Sequence, residues 1–362
     1  MRHVANGRAW LSLRHGRRIV GAVAVIAAMA MAGCSTSSEP GSEQSPSSGA
    51  PAEAATSGGS STSAVTSATS EAAPAESAGT AAPVGELPTI NIVSFQAPSL
   101  GAFLPAVIAA KELDKTHGVN MKITYATTDN YNTEFAAGHY DVGVSAALLS
   151  EALRTERGVG VTYLFNLFDF FGTVVTSNAD VQSLSDLEGR TLAAASATTN
   201  YAMFQWFAKQ ENVDLSKIKV ENQSTPGLST MALTGRSDAV ELWEPAYSTL
   251  LAKKPDIRTI DLDMSKWQAK FGTGDIPYLG VAAQLDWAKA NPELVQKLYD
   301  TYVDAAKWTT ENPDEAGKII AATIPNGEPS VITDLIKNNG RLQMNVVAAS
   351  AVKDGINAVF EA

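Results

Sequence analysis

The chain has 362 residues, 27 Lys and Arg against 38 Asp and Glu, and a formal charge of −11. That acidity excludes a broad electrostatic attraction to nucleic acid. A single cysteine, Cys34, and four histidines leave little room for disulfide, thiolate-metal or cysteine-nucleophile chemistry.

Taken in chain order, the first element is an export signal. Arg2, Arg8, Arg14, Arg17 and Arg18 precede an apolar run from Ile19 to Met31, which has the length of a signal core and falls short of the ~20 residues a membrane-spanning helix needs. Met31-Ala32-Gly33-Cys34 then reads as a lipoprotein processing site. Small residues admit a signal peptidase, and the Cys34 thiol is available for diacylglycerol. Residues 1–33 are therefore expected to be a lipoprotein signal peptide and Cys34 the lipidated start of the mature chain. Losing five arginines takes the formal charge from −11 to −16. Residues 34–87 follow as the lipidated cysteine and a tether rich in Ser, Ala, Thr and Pro. From residue 35 the tether holds six glutamates and no Lys, Arg or aromatic residue. Such a segment cannot bury enough apolar surface to offset its ordering entropy.

Residues 88–362 carry the folded domain. Ile90–Val93 reads as a strand, Phe103–Leu113 as an amphipathic helix, Met121–Tyr125 as a strand, Asn132–Ala137 as a short helix and Tyr140–Val144 as a strand. Thr162–Phe165 and Gly172–Thr176 read as strands around an aromatic-rich stretch, Asn166-Leu167-Phe168-Asp169-Phe170-Phe171. If that stretch is extended, Phe168 and Phe170 share one side and Asp169 takes the other. Thr191–Ala194, Ile218–Val220, Ala239–Trp243 and Gly280–Gln284 are further strands. Helices are expected from Ser196–Asn200 through Lys209 and over Leu228–Leu233. After Gln284 the pattern is largely helical, including Glu293–Trp308. Strands alternating with helices imply βαβ units and mostly parallel pairing.

Six local patterns, in order, carry a family resemblance. They are the opening strand and polar loop Ile92–Gly101 with the helix ending Ala109-Ala110-Lys111-Glu112-Leu113; Ala136-Ala137-Gly138-His139-Tyr140-Asp141-Val142-Gly143; Leu184-Ser185-Asp186-Leu187-Glu188-Gly189-Arg190; Leu233-Thr234-Gly235-Arg236-Ser237-Asp238-Ala239 followed by Trp243-Glu244-Pro245; Asn291-Pro292-Glu293-Leu294-Val295; and Glu311-Asn312-Pro313-Asp314-Glu315-Ala316. Together they resemble the nitrate/sulfonate/taurine-type substrate-binding proteins of ABC transporters. The resemblance implies an α/β fold of the type II periplasmic binding protein class. Two lobes of mixed sheets carry helices on both faces and are hinged by two crossover strands. It places lobe 1 at about 88–175 and 278–362 and lobe 2 at about 176–277. It implies an extracytoplasmic, lipid-anchored monomer that captures a small organic solute (a sulfonate, aromatic carboxylate or heteroaromatic compound) between the lobes. The solute passes to a membrane permease and its ATPase. No cofactor, metal or catalytic residue is expected. An exported enzyme or a structural lipoprotein on the same fold is the alternative.

Ligands in such sheets sit beyond the carboxyl ends of strands, which selects candidates. Ser94, Phe95 and Gln96 follow the first strand, and Ser145 follows the strand ending at Val144. Ser196, Thr198 and Thr199 open a helix whose N–H groups suit an anionic group, although simple N-capping accounts for any one hydroxyl. Asn166, Phe168, Asp169 and Phe170 lie at the expected crossover, where core packing competes with stacking on a ligand. Trp243 offers a wall. Glu244 is a ligand contact or the cap of the next helix. Glu241 is either inward-facing or ion-paired. No Lys or Arg falls in these loops, so an anion would need N–H groups, hydroxyls or an arginine from elsewhere. His117 and His139 carry no expected function.

Overall fold

A computed structural model of the chain describes residues 86–362. The signal segment, Cys34 and the tether up to residue 85 lie outside the described residues. Among the described residues, eleven strands form two sheets, with helices between them.

The first sheet contains β1 (Thr89–Phe95), β2 (Asn120–Ala126), β3 (Val142–Ala147), β4 (Val161–Asp169), β10 (Pro277–Gln284) and β11 (Met344–Ala348), in the order β11-β4-β10-β3-β1-β2. β1 lies parallel to β2 and β3, while β10 runs antiparallel between β3 and β4. The second sheet contains β5 (Gly172–Thr176), β6 (Thr191–Ala194), β7 (Lys219–Asn222), β8 (Ala239–Trp243) and β9 (Arg258–Ile260), in the order β7-β6-β8-β5-β9. β6 is parallel to both neighbours, and β5 is antiparallel to β8 and β9.

Local sequence sets the element ends. Thr127 accepts the Asn130 N–H at 3.3 Å and starts the helix Thr128–Ala136, and Thr198 does the same for Tyr201 at the head of Thr199–Gln210. Gly235, at φ 64°, ends the helix Thr225–Thr234, a conformation glycine adopts without strain. The helix expected over Phe103–Leu113 instead breaks at Glu112, which is left-handed at φ 51°; the chain resumes as the short helix Leu113–Thr116. In the long helix Pro292–Glu311, Leu298, Thr301, Tyr302, Ala305 and Thr309 are buried. Their three- and four-residue spacing makes one stripe against the core. There Tyr302 meets Phe165, with ring centroids 5.5 Å apart. In the second lobe Trp206, Trp267 and Phe271 form an aromatic cluster with centroids 4.4–5.6 Å apart.

Two crossovers join the sheets side by side. β4 ends at Asp169 and β5 starts at Gly172; β10 resumes the first sheet at Pro277. The Phe170 N–H donates to the Ile276 carbonyl at 2.8 Å, so the outgoing and returning strands are bonded to each other. β5 belongs to the second sheet, so the outgoing crossover lies at Phe170–Phe171, ahead of the boundary expected near residue 175. A Cβ on Gly172 would sit 2.3 Å from the Phe170 ring, which makes glycine necessary at this tight passage.

The C-terminal segment, expected to be largely helical, also holds one strand. β11 adds an edge strand to β4, and the helix Pro329–Lys337 packs on the helix Ala246–Lys253 of the second lobe.

Candidate functional site

Parallel strands β1, β2 and β3 in one lobe, and β6, β7 and β8 in the other, end in the loops where ligands of such folds collect. In the first lobe, Ser94 is fully buried and donates Oγ to the Gly101 carbonyl at 3.2 Å. Phe95 is half-buried and meets Tyr131 edge-on at 4.8 Å. Gln96 is exposed, and its backbone N–H donates to the Ala126 carbonyl at 2.9 Å. Ser145 lies within β3 rather than after it. It is buried and left-handed at φ 77°, and its Oγ has no hydrogen-bond partner.

The same lobe holds a polar cluster that sequence reasoning did not single out. Glu151 Oε2 accepts from Arg154 Nε at 3.0 Å, and Arg154 also donates to the Asn132 carbonyl and side-chain oxygen. The guanidinium sits 5.7 Å from both the Tyr131 and Phe135 ring centroids. Burial pushes the Glu151 carboxyl up to about 7, against the opposing pull of Arg154. Glu151 Oε1 and the Tyr131 hydroxyl remain unpartnered although buried. These residues come from two separate helices, Thr128–Ala136 and Leu148–Glu156, and helical spacing alone does not reveal that they meet.

At the crossover, Asn166 and Asp169 serve each other. Asn166 Nδ2 donates to Asp169 Oδ1 at 2.9 Å and to the Asn345 carbonyl at 3.0 Å. Asn345 Nδ2 donates to Asp169 Oδ2 at 2.7 Å, and the Tyr163 hydroxyl donates to Asn166 Oδ1 at 3.0 Å. Burial raises the Asp169 carboxyl to about 6, while the amide bonds from Asn345 and Asn166 oppose the shift. Phe168 and Phe170 are 1% and 4% exposed. Phe170 stacks on Phe207 at 6.4 Å and meets Tyr278 edge-on at 6.1 Å. Both rings sit in core packing.

In the second lobe, Ser196 is exposed and pairs through its N–H and Oγ with Asn222 Oδ1, at 3.0 and 2.8 Å. Thr198 caps its helix and donates Oγ1 to the Ala195 carbonyl at 2.7 Å. Thr199 is buried in the first turn, and its Oγ1 lacks a partner. Trp243 is half-buried and pairs in register with Gly172. Glu244 is fully buried and accepts from the Ser248 N–H and Oγ at 3.1 and 2.9 Å. It therefore fastens the first turn of the helix Ala246–Lys253. Burial raises its carboxyl above the ordinary range, the Ser248 bonds opposing.

An arginine does reach this edge from elsewhere. Arg341, in the short helix Asn339–Leu342, lies 4.0 Å from Glu244 Oε1 and 5.8 Å from the Tyr247 ring centroid. It is separated by almost a hundred residues from the loop it meets and falls in a stretch read as helical tail. Glu241 faces inward: it is buried, its Oε2 accepts the Ala195 N–H at 3.2 Å, and no cation among the described residues pairs with it. His117 and His139 instead meet Asp304 and Glu134 near the surface. Among the described residues no group of three or more His, Cys, Asp or Glu is placed to hold a metal, and no helix is long and apolar enough to cross a membrane.

This double-sheet, double-crossover body is the fold of the periplasmic binding proteins that serve ABC importers. The chain belongs to the NMT1/THI5-like family, whose model matches residues 106–316. Among solved structures it is similar to the periplasmic aliphatic sulphonate binding protein SsuA from Escherichia coli, with a TM-score of 0.60 and 14% identity over 76% of this chain and 93% of that one. SsuA from Xanthomonas axonopodis pv. citri, an alkanesulfonate-binding protein solved with MOPS, gives 0.58 and 16% over 74% and 89%. A protein from Bordetella bronchiseptica RB50 gives 0.59 and 20% over 75% and 88%. No curated protein matches the chain in sequence.

Proposed function

We propose that this protein is the extracytoplasmic solute-binding component of an ABC importer. It is anchored by lipid at Cys34, with residues 34–87 as tether, and holds a small organic solute between its two lobes for delivery to a permease. One observation carries the reading. Buried polar atoms without partners occur in and beside the strands and strand-to-helix corners of both lobes, with Ser145 Oγ, Tyr131 Oη and Glu151 Oε1 in one and Thr199 Oγ1, Asn200 Oδ1 and Glu241 Oε1 in the other, and Arg341 Nε near Glu244 is a further one. Buried polar groups are ordinarily bonded, so a set left open in both lobes suits a ligand that bonds from both sides. Such a ligand shifts an open–closed equilibrium by its better fit to the closed form.

The test is native mass spectrometry of the protein purified without denaturant, followed by calorimetry with whatever small molecule is retained. A retained solute that rebinds stoichiometrically supports the proposal. A protein that retains nothing and gives no heat with solutes transported by its host argues for an enzymatic or structural role. Anchoring is tested separately: Cys34→Ala should move the protein out of the detergent phase, and unchanged partitioning would refute the lipid anchor.

A further inference from the structure

Three buried side chains of the second lobe each leave an oxygen without a hydrogen-bond partner. Glu241, Asn200 and Thr199 are 2%, 1% and 8% exposed. Glu241 directs Oε2 at the Ala195 N–H, 3.2 Å away, and its Oε1 is open. Asn200 commits Nδ2 to the Tyr278 hydroxyl at 2.9 Å, and its Oδ1 is open. Thr199 Oγ1 is open as well. Each has given up water without replacement, which is unfavourable for a neutral oxygen and more so for a carboxylate.

These groups lie at the interlobe edge. Ala195 directly follows β6, Thr199 and Asn200 open the helix after it, and Tyr278 is the second residue of β10, just past the returning crossover. The Asn200 oxygen lies against Gly172, where a Cβ would be 3.1 Å away, beside the Phe170 ring that meets Tyr278 edge-on. The titratable groups facing Glu241 are the hydroxyls of Tyr201, on the same helix as Asn200, and of Tyr278. Both hydroxyls are held protonated, first by burial and further by the Glu241 charge. Neither neutralises the carboxylate.

We propose that Glu241, Asn200 and Thr199 form an acceptor pocket that takes an N–H donor group of ammonium or amidinium type at one end of the bound solute. The inference rests on the cleft reading above and specifies the ligand's chemistry at this end. A cationic N–H head supplies the missing donors to Oε1, Oδ1 and Oγ1 and the missing positive charge to Glu241. A sulfonate or carboxylate placed here would face the Asn200 oxygen and the Glu241 carboxyl, which repels it once ionised, with the Thr199 hydroxyl as its one fixed donor. Burial without a cationic partner raises the Glu241 carboxyl to about 8, so the free protein holds a proton there near neutral pH and a cationic ligand displaces it.

The experiment uses the full-length protein in detergent and two matched probes, benzamidine and benzenesulfonate. Calorimetry is run at pH 7 in two buffers of different ionisation enthalpy. Benzamidine is expected to bind wild type, to show a buffer-dependent heat from proton release, and to weaken at least tenfold in both Glu241→Gln and Asn200→Ala, with melting curves establishing that the variants are folded. Equal affinity for wild type and both folded variants would overturn the proposal. So would benzenesulfonate binding that is indifferent to Glu241→Gln, or no binding of benzamidine at millimolar concentration. Should native mass spectrometry find a retained solute lacking an N–H donor, the acceptor pocket fails while the cleft stands. Should no solute be retained and neither probe bind, both fail.

Discussion

Replacing Glu241 with Gln should change the pH dependence of stability in a defined direction. The carboxyl has an ordinary value of 4.5 and is raised to about 8 in the folded chain, burial outweighing the Ala195 N–H bond. Below pH 4.5 both folded and unfolded states hold the proton, and Glu241 contributes no penalty. As pH rises from there, the unfolded chain ionises while the folded chain resists, so stability is lost until pH passes about 8. At about 1.4 kcal/mol per unit of difference, the loss between pH 5 and pH 8 is roughly 3–4 kcal/mol. Gln keeps the shape and one acceptor oxygen but cannot ionise. The melting temperature of Glu241→Gln relative to wild type should therefore rise between pH 5 and pH 8. At about 2 °C per kcal/mol for a domain of this size, the relative rise is about 6–8 °C. Glu151 and Asp169, also raised by burial, titrate in both proteins and cancel from the difference when uncoupled. Differential scanning calorimetry across the pH range, without ligand, measures it. Parallel curves would refute the assignment of Glu241 as a buried carboxyl without a cationic partner.

Three further outcomes follow from the geometry. A Cβ on Gly101 would lie 1.4 Å from Ser145 Oγ and 2.5 Å from its Cβ, so Gly101→Ala should lose about 1–3 kcal/mol to overpacking; adding Ser145→Gly, which suits the left-handed backbone, should recover most of it in urea titrations, and no recovery would contradict the contact. Glu244→Ala removes two bonds to Ser248 at a helix start and should destabilise by roughly 1–2 kcal/mol; a neutral result would count against its capping role. Small-angle scattering at saturating retained solute should show a smaller radius of gyration than the unliganded protein, and an unchanged profile would contradict closure about the two crossovers.

How far the residues announced this structure depended on the range of the forces involved. Gly172–Thr176, Thr191–Ala194 and Ala239–Trp243 form strands at the bounds their β-branched and apolar runs predict. β11 was illegible because Met344-Asn345-Val346-Val347-Ala348 lacks alternation and becomes a strand by pairing with β4 almost two hundred residues earlier. β9 has three residues, too few for any period. The crossover at Phe170 was visible as an aromatic stretch, yet the identity of the sheet that β5 joins is a matter of pairing, which no local pattern encodes. The same division holds at the site. Ser94, Ser145, Thr198 and Thr199 were nominated from strand ends and capping chemistry. Tyr278, Asn345 and Arg341 meet their partners only through the returning crossover and the C-terminal segment.

The distribution of charge separates this site from its fold. Of the arginines near the cleft, Arg154 is engaged by Glu151 and Asn132, while Arg341 lies beside Glu244 and Tyr247, its Nε 4.0 Å from Glu244 Oε1 and without a hydrogen-bond partner. The Ala195 N–H, at the edge where a helix start would receive an anion, is taken by the protein's own Glu241. Glu241 at that position competes directly with any anionic ligand for the same donor, and once ionised its field opposes the anion's approach. The structures named for sulfonate binding share the fold with TM-scores of 0.58–0.60 at 14–16% identity, which leaves side chains free to differ. Fold and ligand are set by different residues: the sheets and paired crossovers require small and apolar side chains, whereas the sign of the ligand's charge is decided by a few polar groups at the strand ends. Here Glu241 and Asn200 are acceptors, and the donor-bearing solute proposed above is the complement to that pair.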